Sequence, residues 1–111
     1  MPTAPQLTSE QRAAALAAAA EVRSLHASTR VELKTGRLSL AQLLARAEVE
    51  PRIGSMRMSA VLESLPGYGA ARSATLLGEL RIPGGRRIRG LGPKQRAALL
   101  ARIGDAAQSQ S

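Results

Sequence analysis

An all-α fold follows from three features of the sequence. Apolar residues recur at helical i, i+3, i+4 spacing, helix-capping signals precede the periodic runs, and no segment alternates or gathers β-branched residues. The expected architecture is one long N-terminal helix followed by a small domain of about four helices. The apolar residues are almost all Ala, Leu, Ile, Val and Met, with one Tyr and no Trp or Phe in 111 residues. Any core is therefore aliphatic and thin, and a chain of this size is marginal in stability.

Residues 1–7 (MPTAPQL) show no periodicity and read as a flexible arm. Thr8-Ser9-Glu10-Gln11 has the spacing of a capping box, so a helix is expected to start there and run to about Lys34, with Gly36 as its stop. The unit so defined is residues 8–36. On a helical wheel Ala15, Ala18, Val22, Leu25, Thr29 and Leu33 share an arc of roughly 80°, the face expected to meet a core. Arg12, Arg23, Arg30 and Lys34 share a second arc of roughly 40°, with Glu10, Glu21 and Glu32 on the opposite side. That basic edge extends about 33 Å at about 1.5 Å per residue. It reads either as a solvated face or as a track for phosphates. His26 has no acid three or four residues away and reads as a partly exposed helical residue rather than a general base.

The remaining domain is assigned to residues 37–104. Ser39-Leu40-Ala41-Gln42 is a second capping box, opening a helix with Leu40, Leu43, Leu44 and Ala47 on one face that ends before Pro51. A third helix from about Met58 to Leu65 carries Met58, Val61, Leu62 and Leu65 on one face. A fourth from about Ala70 to Leu80 buries Ala74, Leu77 and Leu80. The last starts at Pro93, carries Arg96, Leu99, Leu100 and Ile103, and is closed by Gly104. Residues 105–111 read as a disordered polar tail.

Composition excludes several kinds of chemistry. With no Cys and a single His there is no thiol nucleophile, disulfide framework or His/Cys metal cluster, so no metal and no cofactor are expected. The longest apolar run, Ala13 to Ala20, is too short to span a bilayer, so no membrane partner and a cytoplasmic location are expected. The net charge is +8. It concentrates late in the chain: seven basic residues and no acid lie from Arg81 to Arg102. Such a field favours a polyanion, of which nucleic acid is the commonest.

Leu65-Pro66-Gly67-Tyr68-Gly69 is the most specific segment. Two glycines two apart permit a tight reversal with positive φ at one or both, and the next helix begins with unpaired N–H groups and a positive dipole end, an anion site. Tyr68 reads as a packed apolar anchor with its hydroxyl at the edge. Downstream, Gly84 to Gly92 reads as a mobile glycine-bracketed loop holding Arg86, Arg87 and Arg89, suited to lie along phosphates or enter a minor groove.

The run Pro5 to Ala15, then Ile53-Gly54-Ser55-Met56-Arg57-Met58 through Gly69, then Arg86-Arg87-Ile88-Arg89-Gly90-Leu91-Gly92 resembles the actinobacterial integration host factor family over almost the whole chain. The resemblance implies a helix-two-turns-helix domain that binds duplex DNA with little sequence preference, bends or organises it in the nucleoid, and assists site-specific integration. It implies double-stranded DNA as partner, with an integrase as a second and a monomeric chain. It places DNA contacts in the second turn, the helix after it and the arginine loop, so Gly67, Gly69, Arg86, Arg87 and Arg89 carry over; Ala70, Ala71 and Arg72 at the start of that helix, and Arg57, are further candidates. The basic edge of Arg12, Arg23, Arg30 and Lys34 completes the candidate set. Ser55 and Ala70 stand where the family commonly has Lys, so neither side chain brings a cation to phosphate. An enzyme is not expected: the related glycosylases use an N-terminal Pro followed by Glu and zinc cysteines, whereas Pro2 is followed by Thr3 and Cys is absent. An RNA-binding or ribosome-associated protein with the same motif is the alternative.

Overall fold

Both capping boxes form. In the computed structural model, which describes the backbone of residues 7–108 and the side chains of residues 7–103, Thr8 Oγ1 accepts from the Gln11 N–H at 3.0 Å and Gln11 Oε1 accepts from the Thr8 N–H at 2.8 Å. They open α1 (Ser9–Lys34), and Ser39 with Gln42 opens α2 (Leu40–Val49) in the same way. Gly36, at φ +78°, turns the chain out of α1, so that the Arg37 and Leu38 N–H groups both return to the Glu32 carbonyl. The expected arm over residues 1–7 lies outside the described residues except for Leu7. Of the expected tail over 105–111, only backbone to Gln108 is described, and it is helical.

Pro51 ends α2 but also starts α3 (Pro51–Gly54), a turn of helix that the sequence did not lead us to expect. Proline is favourable at a first helical position, and Glu50 caps the turn by accepting from the Arg52 N–H. The Arg52 guanidinium donates to both Glu50 carboxylate oxygens at 3.1 Å. That hydrogen bond, then the one from the Arg52 backbone, holds the Glu50 carboxyl below its ordinary range. The chain continues through α4 (Met58–Ser64), α5 (Ala70–Glu79), a single 3-10 turn (Ile88–Gly90) and α6 (Pro93–Gln108). α6 runs past Gly104, where it was expected to close. A mid-helix glycine costs about 1 kcal/mol but does not break a helix.

The core joins every element. Leu33 of α1, Leu43 and Leu44 of α2, Ile53 of α3, Met58, Val61 and Leu62 of α4, Leu76 and Leu77 of α5 and Leu99 of α6 are buried together, with Met56 and Ile88 between them. Two expected core faces are corrected. Ala15 and Ala18 are exposed, because α1 is about 39 Å long and overhangs a molecule that measures 59 × 29 × 26 Å. Only from Val22 onward does α1 meet the body, through half-buried Val22 and Leu25 and fully buried Thr29 and Leu33. In α5, Ala74 is exposed and Leu80 only half-buried; the inner face is Ser73, Leu76 and Leu77. The Ser73 hydroxyl has no hydrogen-bond partner among the described residues.

α1 is latched to α3 by a polar contact. His26 Nε2 lies 2.7 Å from the Arg52 carbonyl and 3.2 Å from Ser55 Oγ. A carbonyl only accepts, so Nε2 carries a proton and donates.

Arg81 occupies the left-handed region at φ +57°, the one non-glycine residue with positive φ among those described. It ends α5: the Ile82 N–H reaches the Leu77 carbonyl at 2.8 Å and the Arg81 N–H reaches Gly78 at 3.1 Å, the helix-closing pattern usually given to glycine. Arg81→Gly relieves the Cβ strain and is expected to raise stability by about 1 kcal/mol, a melting temperature several degrees higher by circular dichroism. An unchanged or lower melting temperature would contradict a strained Arg81.

Candidate nucleic-acid interface

The turn between α4 and α5 is built on one residue of unusual conformation. Gly67 takes φ +82°, and the Tyr68 N–H returns to the Leu65 carbonyl at 3.1 Å to close the reversal. Gly69, for which positive φ was also open, is extended at φ −91°, and a Cβ built there meets nothing within 4 Å. The backbone at Gly69 therefore does not require glycine, and the missing side chain leaves the start of α5 open. The first intrahelical bond of α5 runs from the Ser73 N–H to the Gly69 carbonyl at 2.9 Å, and no side chain caps the helix. The N–H groups of Ala70, Ala71 and Arg72 are left without acceptors among the described residues, behind an open glycine, and the helix dipole adds positive potential there.

The arginine segment is tied down, not mobile as expected. Met58 donates its N–H to the Arg86 carbonyl at 2.8 Å, and Ile88 donates to the Met56 carbonyl at 2.9 Å, so Arg57 and Arg87 form an antiparallel bridge. Ile88 is buried and anchors the segment. Its three arginines diverge. Arg86 Nη1 donates to the Gly90 carbonyl at 3.0 Å and to Gln95 Oε1 at 3.3 Å, with its stem so close that a Cβ on Gly90 would sit 2.9 Å from Arg86 Cδ. Arg87 Nη1 donates to the Ser55 carbonyl at 2.6 Å. Arg89 is exposed and lines a separate groove with Ala47, Glu48 and Arg96. Arg57, at the start of α4, is exposed.

Ala70 and Ala74 of α5 line one groove with Ser59 and Glu63 of α4 and with Gly84, which brings the hairpin and the start of the arginine segment onto a common surface. Glu63 also lines the groove between α4 and α1, beside Arg30 and Lys34. The lower half of the basic edge thus lies across α4 from the hairpin. Arg23 is exposed higher on α1, and Arg12 near its start donates to the Leu7 carbonyl. Ser55 donates its hydroxyl to the Arg52 carbonyl, and Ala70 offers only its backbone N–H.

Of the sixteen Lys and Arg residues, four form ion pairs among the described residues: Arg46, Arg52, Arg96 and Arg102, with Glu32, Glu50, Glu48 and Glu79. None of the four was a candidate for DNA contact. Three further exposed cations without ion pairs among the described residues, Arg37, Arg81 and Lys94, were not singled out by the sequence pattern. Nor was Gln95, which accepts from the Gly92 N–H and from Arg86 and donates to the Arg81 carbonyl. Its signal was present, since Gln95 stands three residues after Gly92, the reach-back position of a capping box. No group of three or more His, Cys, Asp or Glu suited to a metal occurs among the described residues, and no described helix is long and apolar enough to cross a membrane.

The fold is one that known proteins share. The family model of the S13-like H2TH domain matches residues 33–103. The chain is 47% identical to a protein named integration host factor from Mycobacterium tuberculosis, over 92% of this chain and 97% of the relative. It is 43% identical to the integration host factor of Streptomyces coelicolor, over 90% of this chain and 94% of the relative. A solved structure described as sIHF bound to an 8-bp palindromic DNA superposes with a TM-score of 0.74 at 38% identity, covering 77% of this chain and 96% of that one.

The two glycines of the turn separate by experiment. Gly67→Ala forces a Cβ into the left-handed region and is expected to lower stability by about 1 kcal/mol. Gly69→Val is expected to leave circular dichroism and melting close to wild type while weakening binding of a duplex at least several-fold, because the branched side chain stands over the open N–H groups. A folded Gly69→Val protein that bound as well as wild type would make the hairpin purely structural.

Proposed function

The chain belongs to the integration host factor family, and from that premise we propose that it is a duplex DNA-binding nucleoid-associated protein that holds the phosphate backbone with little sequence specificity. The observation that carries this reading is the uncapped start of α5, where three N–H groups lie unpaired behind Gly69. Phosphate oxygens satisfy such donors without any reading of base edges. The DNA-bound relative supports the choice of duplex DNA over RNA. The proposal takes the candidate contacts in two groups. Gly67, Gly69, Ala70, Ala71, Arg57 and Arg89 present open backbone or an exposed cation, whereas Arg86 and Arg87 shape the segment through internal hydrogen bonds and keep their remaining donors for phosphate.

The finer parts of the reading are that the chain acts without catalysis, as a monomer in the cytoplasmic nucleoid, bends or organises DNA, and serves an integrase. Bending requires contact beyond the hairpin. The edge of Arg12, Arg23, Arg30 and Lys34 supplies it, because a duplex seated on the hairpin that curves across α4 reaches Arg30 and Lys34 next.

The central test is binding to unrelated duplexes of equal length across a salt series, with an RNA duplex of the same length as competitor. Similar affinities for all DNAs are expected, with a steep decline. Six phosphate contacts correspond to a loss of about 10³-fold between roughly 50 and 200 mM salt. A flat salt response, or an equal or stronger grip on RNA, would reverse the assignment.

A second test addresses α1. Truncating the helix would remove buried Thr29 and Leu33 from the core, so the four basic residues are replaced by Gln instead. For every phosphate that the variant no longer neutralises, the salt slope is expected to fall by about one, with reduced bending in a fluorescence-transfer assay at matched occupancy. Equal bending would leave the edge as a solvated face.

A further inference from the structure

Arg72 was expected to meet phosphate, being third in α5. Its side chain is committed elsewhere. Arg72 Nη1 donates to the Gly67 carbonyl at 3.1 Å, and the guanidinium carbon lies 4.5 Å from the centroid of the Tyr68 ring. Tyr68 in turn packs its half-buried ring against the core and donates its N–H to Leu65. The guanidinium is thus held between the carbonyl of the one turn residue that needs positive φ and the ring of the residue after it. Both contacts are within the range at which they stabilise.

We propose that Arg72 is a positioning residue for the DNA interface: its guanidinium staples the Pro66–Gly69 turn in the geometry that exposes the first N–H groups of α5, and it does not itself contact phosphate. The proposal rests on the DNA-binding reading above. Three features of the site explain why a staple is needed here. Gly67 and Gly69 give the turn more backbone freedom than any other pair of residues would. No side chain caps α5. The N–H groups that must point at the ligand belong to the residues immediately after the turn, so any sway of the turn misdirects them. A planar guanidinium can accept the ring on its face while donating in its plane, which an ammonium cannot reproduce.

The test uses the full chain and four single substitutions, with a random-sequence duplex as probe. Arg72→Met keeps a helix-forming stem and removes donor, plane and charge. It is expected to weaken binding roughly three- to tenfold, with the slope of log affinity against log salt unchanged. Tyr68→Leu, which removes no charge, is expected to weaken binding to a similar extent. The two together are expected to be no worse than either alone, the mark of a shared interaction. Tyr68→Phe keeps the ring and is expected to recover wild-type affinity, and Arg72→Lys is not. A salt slope lower by about one in Arg72→Met, with recovery by Arg72→Lys, would make Arg72 a direct phosphate contact and overturn the proposal. So would a Tyr68→Leu protein that bound as wild type. Melting by circular dichroism shows that each variant is folded at the assay temperature.

A readout independent of DNA comes from the composition: the chain has one Tyr and no Trp or Phe, so its intrinsic fluorescence comes from the Tyr68 ring alone. Its emission in the free protein is expected to change in Arg72→Met, and an identical spectrum would overturn the stack. Wild-type protein that bound no duplex would instead remove the DNA-binding function, whatever the tyrosine reported.

Discussion

Two backbone hydrogen bonds between residues 56–58 and 86–88 set the geometry on which the rest of the molecule depends. The Met58 N–H needs an acceptor because it begins α4, and no side chain supplies one; the Arg86 carbonyl does. The Ile88 N–H closes the pair on Met56. Met56, Met58 and Ile88 alternate with Arg57 and Arg87, so extended backbone sends the three apolar side chains inward and Arg57 outward, while half-buried Arg87 turns back to the Ser55 carbonyl. One short pairing therefore caps a helix, completes a thin aliphatic core and fixes the direction of two cations. A loop carrying the same residues without the pairing would lose more entropy on meeting DNA.

The elements most legible in the sequence were those governed by local chemistry. Capping boxes at Thr8 and Ser39, the stop at Gly36 and the reversal at Gly67 depend on residues within three or four positions, and all four formed. What sequence could not supply was tertiary. Ala15 and Ala18 continue the inner face of α1, yet periodicity says nothing about where the partner surface ends, and here it ends at Val22. Gly84 to Gly92 has a loop's composition, but its order comes from Met56 and Met58, some thirty residues earlier. Pro51 was expected as a stop and also proved a start, because Glu50 can cap the turn that begins there. The site itself divided along the same line: its backbone donors were legible from Gly67 and Gly69, while the inward engagement of Arg72, Arg86 and Arg87 depends on carbonyls placed by the fold.

The distribution of charge separates the cations that serve the scaffold from those left open. Each ion pair joins a cation on the body to a nearby acid, and every one is at least partly exposed, so each contributes little to stability. The cations of the hairpin side and of the basic edge have no such partners among the described residues. An exposed pair forgone costs the fold less than about 1 kcal/mol, whereas an unpaired cation keeps its full attraction for a polyanion. Function and stability are thus nearly uncoupled on this surface, which lets a small core carry a strong positive field.

The projecting part of α1 is held by different forces. From Ser9 to Glu21 every residue is exposed, so packing contributes nothing there. The helix rests instead on alanine, the strongest helix former, and on the Thr8–Gln11 capping box. Alanine also leaves the rod narrow. Glu10 and Glu21 stand on the side opposite Arg12 and Arg23, so the rod carries a transverse charge asymmetry rather than a uniform coat. A polyanion is attracted to one edge and repelled from the other. Because Arg30 and Lys34 continue that edge down to the groove beside α4, the favoured side is the one that leads toward the hairpin.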